Sequence, residues 1–241
     1  VLVNGVSQGA VSSVTLENIQ TNMSVQVNFR EEDGSEDGEL ADPDDTGVSD
    51  WLNTVEHIAY LQGYGTEFAP NANMTRGEVA QMFYNLLLEQ NVSITTSFSD
   101  VPADAWYATA VDTLASLEII QGYGEGIFAP NATITRAEFT AIAMRFTNSQ
   151  APAVENIFTD VDSGDWYYEA VIGATSYGWI QGYGELFAPD ATITRAEVTA
   201  ITNRMLGRVA DRTWIDANRD NLTVRFADND PNNWAYYDIV E

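Results

Sequence analysis

Three arginines occupy the second position of a repeated sequence, Thr-Arg-(Ala/Gly)-Glu; they are Arg76, Arg136 and Arg195. An arginine in the first turn of a helix opposes the helix dipole, at a cost of roughly 0.3 to 1 kcal/mol, so its presence in every copy needs an explanation. One explanation is pairing with carboxylates of a very acidic chain. The other is an anion site, in which the guanidinium and the free backbone donors of the helix N-terminus bind one anionic group.

The threonine and the glutamate of each copy have the spacing of a capping box. In such a box the threonine side chain accepts a hydrogen bond from the backbone three residues on, and the glutamate accepts one from the threonine N–H. We therefore predict structural caps at three helix starts. Their residues are Thr75 and Glu78, Thr135 and Glu138, and Thr194 and Glu197.

An aromatic turn, Gln-Gly-Tyr-Gly, precedes each arginine motif and offers a ring together with close backbone approach. In the second and third copies its residues are Gly122, Tyr123, Gly182 and Tyr183, and further rings come from Trp106, Trp166 and Trp234. An aromatic face beside hydrogen-bond donors suits a sugar ring, so we predict that these residues bind a ligand together with the arginines. The alternative role for each tryptophan is packing in the core.

The aromatic turn recurs at Gln62, Gln121 and Gln181. A second element, Phe-x-Asp with Trp eight residues after the Phe, begins at Phe98, Phe158 and Phe226. Apolar residues at helical spacing follow it, so each copy is predicted to be a helix, a loop and a second helix. Copy one lacks the second element, whereas the tail carries it without a sequel. We predict that the tail packs against copy one and closes a pseudo-threefold ring.

The chain is therefore predicted to be mostly α, with a short β remnant at its N-terminus. Alternating apolar residues around Val14 and Val25 indicate that residues 1–30 end an upstream β domain. Residues 31–50 hold ten acids and no base, which is typical of an extended linker. The three copies follow at 51–92, 93–152 and 153–225, and the half-motif that completes copy one spans 226–241.

Composition excludes several classes of protein. With 36 acids against 10 bases, all of them Arg, the formal charge is −26, whereas nucleic-acid binding rests on cationic contacts to phosphates. The chain has no Cys and one histidine, His57, which we expect at the end of copy one's first helix; we therefore predict no metal site and no cofactor. Asp42-Pro-Asp-Asp45 lacks the spacing of a calcium loop. No stretch is long and apolar enough for a membrane span.

Four motifs stand in a fixed order in the chain: Phe-x-Asp-Val, Trp-Tyr, Gly-Tyr-Gly-(x)-x-Phe-x-Pro and Ile-Thr-Arg-Ala-Glu. Together they resemble the S-layer homology (SLH) domain, which usually occurs as three tandem copies, and the resemblance covers about residues 51–241. It implies a three-pronged spindle with a central helical bundle. It also implies a secreted bacterial protein that is anchored noncovalently to the cell wall through a secondary polysaccharide of the Gram-positive type.

That polysaccharide often carries a pyruvyl ketal on N-acetylmannosamine, and the arginine of the family's Thr-Arg-Ala-Glu motif is implicated in binding it. The role carries over to Arg76, Arg136 and Arg195. Family sites lie in grooves between adjacent copies. Copy one has Gly77 in place of alanine and no aromatic pair ahead of it, so we expect its groove to depend on the tail with Trp234.

Two other functions compete with glycan capture. An S-layer lattice module would self-assemble through protein contacts without binding glycan directly. A wall-glycan hydrolase would need two carboxylates at a suitable separation. However, Asp100, Asp160 and Asp228 recur with the helical units, as structural caps would, and no asymmetric group of acids stands out. We therefore predict a binding module that is not an enzyme.

Overall fold

A computed structural model describes residues 40–222 and 226–241, together with three short strands near the N-terminus. The chain forms two compact units, Val1–Gly38 and Glu39–Glu241. In the first unit the strands pair antiparallel in the order β2-β1-β3. They are Leu2–Val3 (β1), Val6–Ser7 (β2) and Val25–Gln26 (β3). The strand predicted around Val14 lies outside the described residues, and a larger upstream domain stays a prediction.

Helices dominate the described part of the second unit. In chain order they are Pro43–Thr46 (α1), Arg76–Leu86 (α2), Ala108–Ser116 (α3), Arg136–Met144 (α4), Tyr168–Ser176 (α5), Arg195–Met205 (α6), Arg212–Asn218 (α7) and Tyr236–Val240 (α8). The predicted helical repeat fold is confirmed, although α7 was not predicted. None of the helices in the described ranges has the length and apolar character needed to cross a membrane.

The capping boxes are confirmed at the starts of α2, α4 and α6. At α2, for example, the Glu78 N–H donates to Thr75 Oγ1 at 3.3 Å, and the Thr75 N–H donates to Glu78 Oε2 at 2.8 Å. Both bonds satisfy backbone donors that a helix start leaves unpaired. The box therefore fixes the point at which each of these three helices begins.

A closed ring of three backbone hydrogen bonds joins the copies immediately before these helices. The Met74 N–H donates to Ile193 O, the Ile134 N–H donates to Met74 O, and the Ile193 N–H donates to Ile134 O, at 3.0 to 3.1 Å. All three side chains are fully buried. Since each copy donates to one neighbour and accepts from the other, the copies are arranged cyclically. The three-pronged outline stays an expectation.

The helices of different copies pack in pairs. Helix α2 packs against α3, α4 against α5, and α6 against α8. The second helix of each copy thus contacts the first helix of the next, and α8 takes the place of a first helix after copy three. Aromatic rings join the long helices at the core, where Phe83 of α2 lies 5.8 Å from Phe139 of α4 and 4.9 Å from Phe146, measured between ring centroids.

The tail supplies the half that copy one lacks. The Asp228 carboxylate accepts hydrogen bonds from the N–H groups of Phe68 and Ala69, both at 2.7 Å, and the Phe226 ring lies 5.3 Å from the Phe68 ring. Asp100 and Asp160 bind the equivalent N–H pairs in copies two and three. This is the closure that the displaced half-motif predicts.

Each of these aspartates also holds an alanine in an unfavourable backbone conformation. Ala69, Ala129 and Ala188 have φ between 56° and 58°, in the left-handed region that costs an L-residue roughly 1 to 2 kcal/mol. The alanine N–H is one of the two donors that the carboxylate accepts from. The two charge-assisted hydrogen bonds therefore offset the strain and shape the loop that leads to the next arginine.

Two sequence predictions are wrong here. Residues 51–60 contain no helix, because α8 occupies that place; His57 lies in this loop, with its Nδ1 2.7 Å from Glu241 Oε1. Residues 40–50, expected in the extended linker, fold onto the repeats instead: the Ala41 N–H donates to Tyr177 O at 3.1 Å, and Asp42 caps α1. The acids that suggested repulsion favour a helix start, since negative charge is stabilising there. Residues 31–39 lie outside the described ranges.

The Asp228→Asn substitution tests whether the tail holds copy one. The amide keeps one acceptor but loses the charge, so we expect a loss of about 2 kcal/mol in the free energy of unfolding. Asp220→Asn, an equal change of charge at an exposed position, is the control. Urea unfolding of both variants measures the difference. Equal stabilities would contradict a structural role for Asp228.

The same pair of variants predicts a pH dependence. Burial opposes ionisation of Asp228, but the N–H groups of Phe68 and Ala69 outweigh it and lower the pKa of this carboxyl. A lowered folded-state pKa gives stability that is present above the unfolded value, about 3.9, and is lost as the pH falls through the folded value. The Tm difference between wild type and Asp228→Asn should therefore be largest near neutral pH and should shrink below about pH 4. A constant difference down to acid pH would contradict this.

Candidate functional site

The three motif arginines are buried and bind backbone carbonyls of the next copy. Their side chains are only 2 to 5% exposed. Arg76 Nε donates to Phe128 O at 2.8 Å, and its Nη2 donates to Gln121 O at 2.6 Å. Arg136 binds the equivalent carbonyls of copy three, and Arg195 binds those of copy one. Each guanidinium therefore joins two copies, and the arginines donate around the ring in the direction opposite to that of the backbone ring.

Aromatic rings flank each guanidinium. The Arg76 Cζ lies 4.4 Å from the centre of the Tyr123 ring and 4.5 Å from that of Phe128. The corresponding distances at the other two arginines are 4.6 to 4.9 Å. Contacts of this kind stabilise a desolvated cation by about 2 kcal/mol or more. The tyrosine of each aromatic turn thus packs on the arginine of the preceding copy.

The backbone donors expected at the anion site are already used inside the protein. The Arg76 N–H donates to Ala132 O and the Gly77 N–H donates to Pro130 O, both at 2.9 Å, while the third donor binds the threonine of the capping box. Equivalent bonds occur at α4 and α6. The prediction of free donors at these helix starts is therefore wrong, because the chain between the copies satisfies them.

The remaining guanidinium nitrogen faces a glutamate of the next copy. Arg136 Nη1 lies 2.6 Å from Glu197 Oε1, whereas Arg76 Nη1 lies 3.7 Å from Glu138 Oε1. The tyrosine hydroxyls share these acceptors: Tyr123 Oη donates to Glu138 at 2.6 Å, and Tyr183 Oη donates to Glu197. Carboxylate pairing therefore accounts for one nitrogen of each of these arginines, and backbone carbonyls account for the others.

Burial and hydrogen bonds shift the pKa values of Tyr123, Tyr183 and Glu197. Burial raises the pKa values of Tyr123 and Tyr183, and the neighbouring glutamates raise them further, so both hydroxyls remain donors at neutral pH. Burial opposes ionisation of Glu197, but hydrogen bonds from Tyr183 and Thr194 outweigh it and lower the pKa of this carboxyl. Glu197 is therefore charged at neutral pH.

The glycines of the aromatic turn are explained by internal packing. A Cβ added to Gly122 would lie 2.4 Å from Ile127 O and 2.7 Å from the Phe98 ring, and one added to Gly182 would lie 2.4 Å from the Phe158 ring. The phenylalanine that opens each copy therefore needs a glycine beneath it. Close approach to a ligand is not required to account for these residues.

Two open grooves lie beside Arg76 and Arg136 and the residues that contact them. Groove A is lined by Arg76, the turn Gln121–Tyr123, the face of α4 with Glu138 and Arg145, and Trp166; its cavity measures about 330 Å³. Groove B is its counterpart one copy further on, lined by Arg136, the turn Gln181–Tyr183, the face of α6 with Glu197 and Arg204, and Trp234; its cavity measures about 270 Å³. These volumes lie near the lower limit for small-ligand sites, ~300 Å³.

The tryptophans are exposed and not part of the core. Trp106, Trp166 and Trp234 are 60 to 65% exposed, so the core alternative is wrong. Trp166 lines groove A and Trp234 lines groove B. The expectation that Arg76 depends on Trp234 is also wrong, because the cyclic order places Arg76 against copy two and the first half of copy three.

Sequence reasoning missed Arg145 and Arg204, the second arginine of each groove. The signal is present as helical spacing: Glu138, Ala141, Ile142 and Arg145 stand at i, i+3, i+4 and i+7, and so line one face of the helical segment. Arg145 follows Arg136 by nine positions, a distance of about two and a half helical turns. The two therefore point to opposite sides and enter different grooves.

Three cyclically linked helical copies with grooves between them define a helical repeat module. A family model, the S-layer homology domain, matches residues 59–80, 97–140 and 157–199, one segment in each copy. The chain belongs to the S-layer homology family and carries three tandem copies of its domain. It is a cell-wall anchoring module of the kind found in bacterial cell-surface proteins.

Relatives of this chain share the repeats in different settings. It is 34% identical over 201 residues to the cellulosome-anchoring protein of Acetivibrio thermocellus. The aligned region covers 78% of this chain and 42% of the relative. It is 33% identical over 109 residues to the surface layer protein of Brevibacillus choshinensis, covering 43% and 10%. Amylopullulanase of Thermoanaerobacterium thermosulfurigenes is 41% identical over 108 residues, covering 45% and 6%. The chain thus spans less than half the length of these relatives.

The Arg136→Ala variant tests the structural role of the motif arginines. It leaves two carbonyls and the Glu197 carboxylate without their buried partner, so we expect a loss of about 3 kcal/mol in the free energy of unfolding. Arg219→Ala, which removes an exposed arginine paired with Asp216, should leave the free energy of unfolding nearly unchanged. Urea denaturation followed by circular dichroism measures both. Similar losses in the two variants would contradict the role of Arg136 in joining copies two and three.

Proposed function

We propose that this chain binds a secondary cell-wall polysaccharide in grooves A and B and thereby anchors a surface protein noncovalently. The observation that carries the proposal is the composition of the grooves: each combines a cationic cluster, a tyrosine with its glutamate, and an exposed tryptophan at the rim. An aromatic face for a sugar ring thus lies beside charged donors for a substituent.

Exposure of the tryptophans supports a binding role. A ring that is 65% exposed, as in Trp166, gives little stability to the folded chain. The same holds for Trp234, which is 60% exposed. Each ring is nevertheless held at the edge of a groove by a neighbouring helix start. Aromatic residues in such positions commonly dominate the energy of binding sites.

Charge supports an acidic glycan bound at short range. The net charge of −26 repels a polyanion at a distance. Within the grooves, however, arginines provide planar donors that suit a carboxylate. The pyruvyl ketal that the family resemblance implies would present such a carboxylate on the sugar. Two modest sites on one rigid module then gain through effective concentration along a repeating polymer.

The relatives support an anchoring role for the segment that they share with this chain. A cellulosome-anchoring protein, a surface layer protein and a polysaccharide-degrading enzyme have it in common. In the last of these it matches only 6% of the length. We infer that the shared segment provides attachment and that catalysis belongs to other parts of such enzymes.

Removal of the groove tryptophans tests the proposal. Because both rings are exposed, Trp166→Ala with Trp234→Ala should leave the Tm unchanged while weakening sedimentation with purified Gram-positive cell walls by at least tenfold, since truncation of a central tryptophan costs about 2 kcal/mol. Trp214→Ala is the matched control, because Trp214 is 55% exposed on α7 and lines neither groove.

The walls are used before and after mild acid removal of pyruvyl ketals. Loss of binding in both the double variant and the treated walls is the expected result. Unchanged binding by the double variant would reject the grooves as the site, and binding that survives the acid would reject the ketal as the ligand. If the wild type did not bind cell walls but self-associated in analytical ultracentrifugation, an S-layer lattice function would be favoured over polysaccharide binding.

A further inference from the structure

Grooves A and B each contain a second arginine at the end of a helix. Arg145 is the C-cap of α4, and Arg204 lies in the last turn of α6. Both are half-buried. Arg145 Nη1 donates to Ile119 O at 2.9 Å, and Arg204 Nη1 approaches Trp179 O at 3.4 Å. A guanidinium has five N–H donors, so these carbonyls use only part of its capacity.

Cations outnumber anions in both grooves. Groove A contains Arg76 and Arg145 against Glu138, and groove B contains Arg136 and Arg204 against Glu197. Burial lowers the pKa of Arg145, and the charge of Arg76 lowers it further. The two guanidinium groups of groove A therefore repel each other, and an anion between them would relieve that repulsion.

One further acid, Asp238, interacts with Arg204 beside groove B without lining it. Burial raises the pKa of Asp238, although the charges of Arg204 and Arg212 and a hydrogen bond with Asn203 oppose this. The position equivalent to Asp238 beside groove A is Ala170. Groove A is therefore the more cationic of the two.

At the equivalent position between copies three and one, an arginine is replaced by a neutral side chain and an alanine by a larger side chain. Helix α2 has Asn85 where α4 has Arg145 and α6 has Arg204, and it has Gln81 where the others have alanine. Asn85 Oδ1 accepts from Gln81 Nε2 at 2.8 Å, and its amide donates to Tyr60 O at 3.4 Å. This position therefore has Arg195 but no counterpart of Arg145 or Arg204, and Glu78 is the corresponding acid.

We propose that grooves A and B each capture one anionic sugar substituent between two arginines, and that the position between copies three and one does not. Arg145 and Arg204 are then specificity-determining residues, because they select acidic over neutral sugars. The inference rests on the proposed function and adds to it the number of anion sites, two per chain, and the residues that distinguish them.

Isothermal titration calorimetry with a short oligosaccharide that carries a pyruvyl ketal, and hence a carboxylate, tests the number of sites. We expect two sites per chain for the wild type, and one for Arg145→Asn or Arg204→Asn. The double variant should bind at least about tenfold more weakly, which corresponds to one charge-assisted hydrogen bond per site. Arg219→Asn removes the same charge outside the grooves and should retain both sites.

A gain-of-site variant keeps the test independent of folding losses. Gln81→Ala combined with Asn85→Arg gives α2 the side chains of α4 and α6 at these positions, and it should raise the number of sites from two to three. Circular dichroism and the Tm establish that every variant is folded.

The outcomes separate the two proposals. A wild type that does not bind cell walls rejects the proposed function, and the paired-arginine inference with it. A wild type that binds walls, but whose Arg145→Asn and Arg204→Asn double variant binds the oligosaccharide equally well, rejects only the inference. Three equivalent sites in the wild type, or no third site in the α2 variant, would also overturn it.

Discussion

The arginine that begins each long helix binds two backbone carbonyls of the next copy, and the order of the whole module depends on this contact. Together with the backbone ring of Met74, Ile134 and Ile193, it joins copy one to two, two to three and three to one. A buried cation is tolerated in each junction because carbonyls and two aromatic rings replace its hydration, and at Arg76 and Arg136 a glutamate adds to them. Helix pairing across copies follows from the same arrangement.

Grooves and fold are consequently inseparable. Each groove draws its arginine from one copy, its aromatic turn from the next copy and its tryptophan from the segment that follows that copy, so neither groove exists in an isolated copy. Groove B needs the tail, which contributes Trp234 to the rim and, through Asp228, holds the loop of copy one. Loss of wall binding in an arginine variant would therefore report on assembly of the ring as much as on ligand contacts, whereas the exposed tryptophans report on the ligand alone.

The acidic net charge of the chain is compatible with the proposed glycan binding, because many of its arginines are buried or lie in the grooves. Arg76, Arg136, Arg195 and Arg208 are buried, and Arg145 and Arg204 lie in the grooves. The net charge of −26 repels polyanions at long range. A charged substituent that reaches a groove meets an excess of guanidinium groups at short range. In the proposed function, selectivity for an acidic sugar would therefore depend on geometry within the groove.

The sequence by itself determined the helical repeat, the capping boxes and the missing half of copy one, because these depend on local spacing and on repetition along the chain. It could not determine the environment of Arg76, since the carbonyls and rings that bind it come from residues about 45 to 52 positions away. Nor could the number of acids show that residues 40–50 fold, because burial of Pro43, Thr46 and Val48 against the repeats outweighs charge repulsion. Only the tertiary structure brought Arg145 and Arg204 into the grooves, because a helix face acquires its meaning from the copy that packs beside it.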